Sequence, residues 1–157
     1  MKKLLLIRHA KASHETNTGD FERPLKHSGE KDALDLAKRL KAADLIPQQV
    51  YSSPALRAKT TAGIITVYLG LPEASYNEAI YEAYDPMLLK IITSLPDEFD
   101  FIALTGHNPG FSSITTYLTG KYCSLPTCGA VLVNFEIDSW KEASSGTGDI
   151  TWISEPD

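Results

Sequence analysis

The sequence predicts an α/β protein, a three-layer α/β/α sandwich with a mostly parallel central sheet. A run of apolar residues at positions 3–7 is typical of a central strand that is covered on both faces. Further short apolar runs alternate along the chain with segments of helical spacing, as in sheets that carry helices on both sides. The 157 residues contain no linker, repeat or low-complexity segment, so we expect one domain over residues 1–157.

The first half of the chain predicts a second strand and two helices. After a polar loop, a helix is predicted over residues 28–43, with Ser28 as its N-cap, because apolar residues recur there at helical spacing. Residues 49–52 predict a short strand. Ser53 and Pro54 then indicate the N-cap and the first residue of a helix that ends near position 69.

The second half predicts one extended segment, two helices and three strands. Residues 73–77 predict the extended segment. Asp85 and Pro86 repeat the signal of a cap followed by proline, for a helix that ends near Leu95. The remaining predicted elements are a strand at 100–105, a helix at 109–118 and strands at 130–137 and 149–153.

Composition and charge exclude several classes of protein. Hydrophobic residues make up 43% and charged residues 22% of the chain, which excludes a disordered or fibrous protein. The net charge is −5, although the first 60 residues are net positive and the rest net negative. Such a chain is a poor nucleic-acid binder, but it could gather positive charge around one anion site. Because no apolar stretch approaches the roughly 20 residues of a transmembrane helix, we expect no membrane partner.

The cysteine content favours a reducing compartment. Cys123 and Cys128 are too few for a disulfide scaffold, and their spacing is not that of a CxxC pair. We therefore expect small buried thiols in a cytoplasmic protein. The apolar run after the N-terminal lysines is shorter than the roughly 7–15 residues of a signal peptide core, and we interpret it as a strand.

Arginine and histidine residues follow three of the predicted strands, at the position where ligands of open α/β sheets bind. Arg8 and His9 end the first strand, Arg57 follows the second, and His107 follows the strand at 100–105. If these strands are neighbours, two guanidiniums and two imidazoles converge on one crevice. Guanidiniums donate paired hydrogen bonds that suit phosphate oxygens, and a neutral imidazole between them can attack phosphorus.

Three motifs in this order resemble the histidine phosphatase superfamily, which includes the cofactor-dependent phosphoglycerate mutases. They are Arg8-His9, the Ser-Ser-Pro-x-x-Arg-Ala-x-x-Thr-Ala stretch at 52–62 and Gly-His-Asn-Pro at 106–109. The small size resembles the short branch of that superfamily, the SixA-type phosphohistidine phosphatases. The resemblance covers residues 4–134 and implies a phosphoglycerate mutase-like fold and a phosphatase with a phosphohistidine intermediate.

The resemblance also implies a role for each matching residue. His9 matches the nucleophile that becomes phosphorylated, Arg8 and Arg57 match phosphate-binding arginines, and His107 matches the second histidine of the pocket. We expect both arginines and a cationic His107 to stabilise the charge on the equatorial oxygens of the transition state. Asn108 is a further candidate for phosphate binding, with holding the loop as the alternative.

Ala10 and the proton donor are the two points at which the match is incomplete. Ala10 stands where much of the superfamily has glycine, and the short branch accepts alanine there. The family's acid lies between the second and third motifs, where Glu82 is the best match and Glu78 the second. SixA-type members often lack a clear acid. Transfer of a phosphoryl group between two imidazoles is close to isoenergetic, so it demands less from an acid than an alkyl phosphate does.

Rival chemistries lack the residues that they require. Neither cysteine has the arginine six positions later that a cysteine phosphatase needs. A P-loop needs Ser or Thr directly after its lysine, and here that position is Tyr122. An H-E-x-x-H zinc site needs a second histidine at the position where this chain has Thr18. The sequence also has no Asp-x-Asp pair for Mg²⁺. We therefore expect an enzyme that uses neither a metal nor a cofactor.

The expected substrate is phosphohistidine on a protein, such as a phosphorelay histidine domain. Only 50 positions separate Arg57 from His107, which leaves little chain for a segment that would enclose a small metabolite. Hydrolysis of a small phosphoester, such as a sugar phosphate or a nucleotide, is the alternative. A non-catalytic phosphate-binding module is a third possibility, but a pure binder need not keep a nucleophile.

Overall fold

The computed structural model describes residues 1–15 and 17–157, which form six strands and four α-helices. The strands are β1 (Lys2–Arg8), β2 (Gln49–Ser52), β3 (Ser75–Tyr76), β4 (Phe101–Gly106), β5 (Ala130–Phe135) and β6 (Gly148–Ser154). The helices are α1 (His27–Ala42), α2 (Leu56–Leu69), α3 (Asp85–Thr93) and α4 (Gly110–Thr119). Short 3₁₀ turns lie at Asp20–Glu22, Glu78–Ile80 and Trp140–Glu142.

All six strands form one sheet, in the order β3-β2-β4-β1-β5-β6. β1, β2, β3 and β4 pair in parallel, whereas β5 is antiparallel to both β1 and β6. The prediction of a mostly parallel central sheet is therefore confirmed. Arg8 pairs with Gly106 and Ser52 pairs with Thr105, so β1, β4 and β2 end side by side.

Side chains of β1 alternate between two hydrophobic cores, one on each face of the sheet, as expected of a strand covered on both faces. Leu4 and Leu6 are buried in the core that α3 and α4 cover, and Leu5 and Ile7 in the core that α1 and α2 cover. The helices contribute Leu88, Ile92, Phe111, Ile114 and Leu118 to the first core and Ala33, Leu36, Leu40, Ala62 and Ile65 to the second. The three-layer α/β/α architecture is thereby confirmed.

The predicted N-cap of α1 is wrong. The helix begins one residue before Ser28, and the capping position is taken by Lys26, which makes no side-chain cap. The backbone N–H of Lys26 is bound by the carbonyl of Lys11 at 2.9 Å, and the backbone of Gly29 packs against the same carbonyl without room for a Cβ. Packing against the loop after β1 therefore sets the start of this helix.

The predicted N-cap of α2 is also wrong. The helix begins at Leu56, with Ala55 at the capping position, rather than after Ser53. The Ser53 hydroxyl accepts the Ala55 N–H at 3.2 Å in a short turn, and it also contacts the ring of His107 at 2.8 Å. Because the Ser53 hydroxyl binds His107 at the end of the neighbouring strand, it does not cap the helix.

The other predicted boundaries differ by small amounts that have local causes. Asp85 is the first residue of α3 rather than its cap, and its carboxylate accepts the Ser113 hydroxyl at 2.8 Å. α3 ends at Thr93 instead of Leu95, because proline at position 96 disfavours a helical residue before it. β5 ends at Phe135 rather than at 137, and the extended segment at 73–77 forms a strand over two residues only.

Candidate active site

The carboxyl ends of β1, β2 and β4 place the predicted residues around one cleft. Arg8 and His9 end β1, Arg57 lies in the first turn of α2 after β2, and His107 follows β4. Together with Asn108, these side chains line a cleft of about 330 Å³. The structure therefore brings the two arginines and the two histidines together, as the sequence predicts.

The His9 ring is held in one tautomer. Its Nδ1 lies 2.8 Å from the carbonyl of Ala10, and because a carbonyl only accepts, Nδ1 must carry the proton. Burial first, and then the positive charges of Arg57 and Arg8, lower the pKa of His9 to about 4, against the opposing effect of the Ala10 carbonyl. At neutral pH the Nε2 atom therefore carries a free lone pair, as a nucleophile requires.

Thr61 fixes the loop that carries His9. Its hydroxyl accepts the backbone N–H of Ala10 at 3.0 Å and donates to the carbonyl of Arg57 at 2.7 Å. The residue after His9 is thus tied to the helix turn that carries the second arginine. The sequence offers Thr61 only as part of the motif at 52–62, without a role.

The second histidine packs against the first, with ring centroids of His9 and His107 5.2 Å apart. Nε2 of His107 contacts the Ser53 hydroxyl at 2.8 Å, and Nδ1 is buried with no hydrogen-bond partner among residues 1–15 and 17–157. When the Ser53 hydroxyl donates to Nε2, the ring proton is on Nδ1, and Nδ1–H is then a donor that the described residues leave unpaired.

A cationic His107 in the transition state stays a prediction, and the charge of this ring in the protein without a bound anion follows from its surroundings. Burial first, and then the neighbouring His9 and Arg57, lower the pKa of His107 to about 3. The ring is therefore neutral at pH 7, and it acts through a hydrogen bond unless a phosphate brings negative charge to it.

Both arginines keep N–H groups that have no partner among the residues that the structure describes. Arg57 is 6% exposed, and its terminal nitrogens donate to the backbone carbonyl and the carboxylate of Asp20, at 2.7 and 3.0 Å. Arg8 donates to the Leu125 carbonyl at 3.1 Å, and burial lowers its pKa. The Nε atoms of both arginines are buried and have no hydrogen-bond partner in the part of the chain that the structure describes. Buried donors are normally paired, so these groups suit an anionic acceptor such as phosphate.

Asp20 anchors Arg57, and sequence reasoning missed it. Its carboxylate also accepts the Tyr81 hydroxyl at 2.6 Å and the Arg23 Nε–H at 3.2 Å. The Tyr81 hydrogen bond and the nearby Arg57 lower the pKa of Asp20 to about 2, and the same bond raises the pKa of Tyr81 to about 12. The edge of the Tyr81 ring contacts His107, with centroids 5.5 Å apart. No motif in the polar loop before α1 points to Asp20.

Further cations line the same cleft. Lys11, Arg23 and Lys26 join Arg8 and Arg57, and among the described residues no Asp or Glu lines this cleft. Five of the twelve Lys and Arg residues among the first 60 positions therefore line one site. Such a cleft attracts anions even though the whole protein is acidic.

Asn108 lines the cleft, but its side chain is bound to the protein. Nδ2 donates to the Leu125 carbonyl at 2.8 Å, and Oδ1 accepts from the backbone and the hydroxyl of Ser112 at 3.1 and 2.9 Å. Arg8 binds the same carbonyl, so Asn108 helps to position the loop that holds this arginine. Phosphate binding by Asn108 stays a prediction.

Glu82 lies outside the cleft that holds His9. It lines an adjoining cleft of about 310 Å³, which shares His107 and Asn108 with the first, and it is exposed with a left-handed φ of 56°. The second candidate acid, Glu78, is exposed in a 3₁₀ turn and lines neither cleft. The assignment of the proton donor to Glu82 stays a prediction.

The remaining features of the described chain concern metals, membranes and thiols. Residues 1–15 and 17–157 contain no group of three His, Cys, Asp or Glu side chains that could hold a metal ion. In the same residues, no helix is long and apolar enough to cross a membrane. Cys123 and Cys128 are unpaired, and burial raises the pKa of Cys128 to about 12.

Comparisons of sequence identify relatives of the whole chain. Residues 4–94 match the family model of the histidine phosphatase superfamily, branch 1. An uncharacterised chloroplastic protein of Arabidopsis thaliana is 31% identical, over 98% of this chain and 76% of that protein.

Comparisons of structure agree in fold. A protein of Agrobacterium tumefaciens assigned as the phosphohistidine phosphatase SixA matches with a TM-score of 0.85 at 21% identity, over 99% of this chain and 98% of that one. The protein histidine phosphatase SixA in complex with tungstate matches with a TM-score of 0.83 at 21% identity, over 96% and 95%. A mycobacterial glucosyl-3-phosphoglycerate phosphatase matches with a TM-score of 0.68 at 12% identity, over 96% and 97%.

Proposed function

The chain is a phosphatase of the histidine phosphatase superfamily, and we propose that it hydrolyses phosphohistidine on proteins through a phosphorylated His9. One observation carries the proposal of the nucleophile: Nδ1 of His9 donates to the Ala10 carbonyl, so Nε2 is unprotonated in a cleft lined by cations. The unpaired N–H groups of Arg8 and Arg57 beside it suit the oxygens of a phosphoryl group. We place the activity in the cytoplasm, a compartment that suits two unpaired cysteines.

The first step transfers the phosphoryl group to the enzyme. The lone pair of His9 Nε2 forms a bond to phosphorus while the bond from phosphorus to the substrate nitrogen breaks. The released electron pair stays on the substrate imidazole, which takes up one proton. The positive charge on the phosphorylated ring is shared with the Ala10 carbonyl through the Nδ1–H bond.

The second step returns the enzyme to its starting state. A water oxygen attacks phosphorus, the bond to His9 Nε2 breaks, and its electron pair restores the neutral ring as phosphate and a proton leave. In both steps the Nε–H groups of Arg8 and Arg57 and the Nδ1–H group of His107 stabilise the charge on the equatorial oxygens.

The absence of a carboxylate from the cleft favours phosphohistidine over an alkyl phosphate. No Asp or Glu is among the residues that line the cleft around His9. An alkoxide leaving group needs a proton from a nearby acid, whereas an imidazole is a much better leaving group and needs less help. The fold also matches two SixA structures with higher TM-scores than the sugar-phosphate phosphatase, which supports the same substrate class.

Turnover of a phosphohistidine protein, measured beside a panel of phosphate monoesters, tests the proposal. We expect a higher kcat/KM for the phosphohistidine protein, and a higher value for any monoester in the panel would overturn the proposal. Glu82→Gln sharpens this test: it should slow monoesters more than phosphohistidine. Glu78→Gln is the matched control and should affect neither substrate.

A small phosphoester is the second candidate substrate, and the position of Glu82 favours it. This carboxylate lines the adjoining cleft beside His107, where it could protonate an ester oxygen. The mycobacterial glucosyl-3-phosphoglycerate phosphatase shares the fold. If this candidate is correct, Glu82→Gln should abolish most of the activity on the preferred monoester.

A further inference from the structure

The cleft around His9 carries more positive charge than one phosphoryl group requires. Arg8, Lys11, Arg23, Lys26 and Arg57 line it. A phosphoryl group brings a charge of about −2 at neutral pH, and the single carboxylate bound to the arginines compensates one more charge. The charge of the two lysines remains without a counterpart.

Lys11 and Lys26 form a pair on one wall of the cleft. The backbone N–H of Lys26 donates to the Lys11 carbonyl at 2.9 Å, and the adjacent residues Ala12 and Leu25 form an antiparallel bridge. The first turn of α1 packs against the same carbonyl, where Gly29 leaves no space for a Cβ. The two side chains therefore start from a backbone that is fixed on both sides.

Both lysine side chains are exposed and available to a ligand. Residues 1–15 and 17–157 give neither ammonium group an ion pair or a side-chain hydrogen bond, whereas Lys31 on the outer side of α1 pairs with Asp35 at 2.9 Å. Lys11 and Lys26 also lie in the same cleft as the nucleophile, so any anion that they bind lies beside the scissile bond.

We propose that Lys11 and Lys26 bind a second anionic group of the substrate, namely acidic side chains that flank the phosphorylated histidine of the partner protein. The inference rests on the proposed function, because it requires a substrate that is a protein. The rest of the molecule has a strong net negative charge, so an acidic partner is repelled elsewhere and attracted to this cleft. Rim charges of this kind raise the association rate and the selectivity for complementary partners.

Binding of two peptides tests the inference without requiring turnover. Both carry a non-hydrolysable phosphonate analogue of phosphohistidine, flanked by glutamates in one peptide and by glutamines in the other. Fluorescence anisotropy at low salt is expected to show about threefold to tenfold tighter binding of the acidic peptide. The preference should disappear in Lys11→Gln/Lys26→Gln and shrink in the wild type as salt is added.

A matched double variant controls for net charge. Lys38→Gln/Lys141→Gln removes the same charge from exposed lysines that do not line the cleft, and it should keep the preference for the acidic peptide. Equal affinity of the wild type for both peptides would overturn the inference, as would an equal loss in both double variants.

The same variants separate this inference from the proposed function. If phosphohistidine proteins are not hydrolysed but the lysine-dependent preference for the acidic peptide is present, the function fails and the acidic site stands. If a bisphosphorylated sugar displaces the glutamine peptide better than its monophosphate does, and only with Lys11 and Lys26 intact, the second anion is a phosphate of a metabolite and the proposal of acidic side chains is wrong.

Discussion

Replacing Arg57 with lysine keeps the positive charge of the phosphate pocket but removes the planar guanidinium. Its two terminal nitrogens each donate one N–H to Asp20, so three N–H groups, that of Nε among them, remain for a phosphate oxygen. A lysine ammonium cannot hold Asp20 and the substrate with the same fixed geometry. One lost hydrogen bond to a charged group costs about 1.5–3 kcal/mol, which corresponds to a fall in kcat of about 10-fold to 150-fold.

The assay is steady-state hydrolysis of a phosphohistidine protein by wild type, Arg57→Lys and Arg57→Ala. We expect the alanine variant to lose about 10³-fold or more, because it lacks the charge as well. Arg39→Lys is the control, since Arg39 does not line the cleft and its guanidinium lies 3.4 Å from the carboxylate of Asp157. Thermal melting of each variant confirms that it is folded. Wild-type turnover by Arg57→Lys would show that the guanidinium geometry plays no part, and would refute the reasoning.

Three further results are expected from the hydrogen bonds, charges and packing of the site. Ser53→Ala removes the hydroxyl that orients His107, so kcat/KM should fall about tenfold, and an unchanged pH profile and rate would contradict this role. NMR titration should give His9 a pKa near 4, rather than the 6.5 of a histidine in the unfolded chain. As pH drops from about 6.5 to 4, the unfolded chain therefore takes up a proton that the folded protein does not, and the free energy of unfolding should fall. A titration midpoint near 6.5 would contradict the burial argument. Gly29→Ala should destabilise the fold by about 1–3 kcal/mol in urea unfolding, because its Cβ would meet a backbone carbonyl of the loop after β1, whereas Gly19→Ala has open space and should not; equal stabilities would disprove the close contact.

The sequence predicts the centre of the site well because strand ends determine it. Apolar runs identify β1 and β4, and the residues just beyond them, His9 and His107, must lie at the edge where parallel strands end. The order of the strands in the sheet does not follow from these patterns. We expect the strands that carry the arginines and histidines to be neighbours only because these side chains must meet to form one site.

The groups that support this centre are less visible in the sequence. Asp20 contacts Arg57 and Tyr81, which follow it by 37 and 61 positions along the chain. No local sequence pattern encodes such long-range contacts. Ser53 looks like a helix cap from its neighbours, but its hydroxyl binds His107 instead. The charge state of His107 depends on burial and on the arginines around it, which the motif at 106–109 does not specify.

Glu82 shows where local motif matching reaches its limit. The match places an acid between the second and third motifs, and the structure puts this carboxylate beside His107 but in the adjoining cleft. Glu82 has a left-handed φ of 56° and lies in the turn between the Glu78–Ile80 segment and α3. The backbone of this turn sets the position of the carboxylate. A short stretch of sequence does not specify that turn.

The formation of a phosphoryl bond to Nε2 of His9 is the most direct test of the mechanism. Wild-type protein is mixed briefly with ³²P-labelled phosphohistidine protein, quenched in alkali to protect acid-labile phosphoramidates, and digested for mass spectrometry. The mechanism predicts one acid-labile phosphate on the peptide that contains His9, absent from His9→Ala together with all turnover. Label on a different residue, or undiminished hydrolysis by His9→Ala, would contradict it.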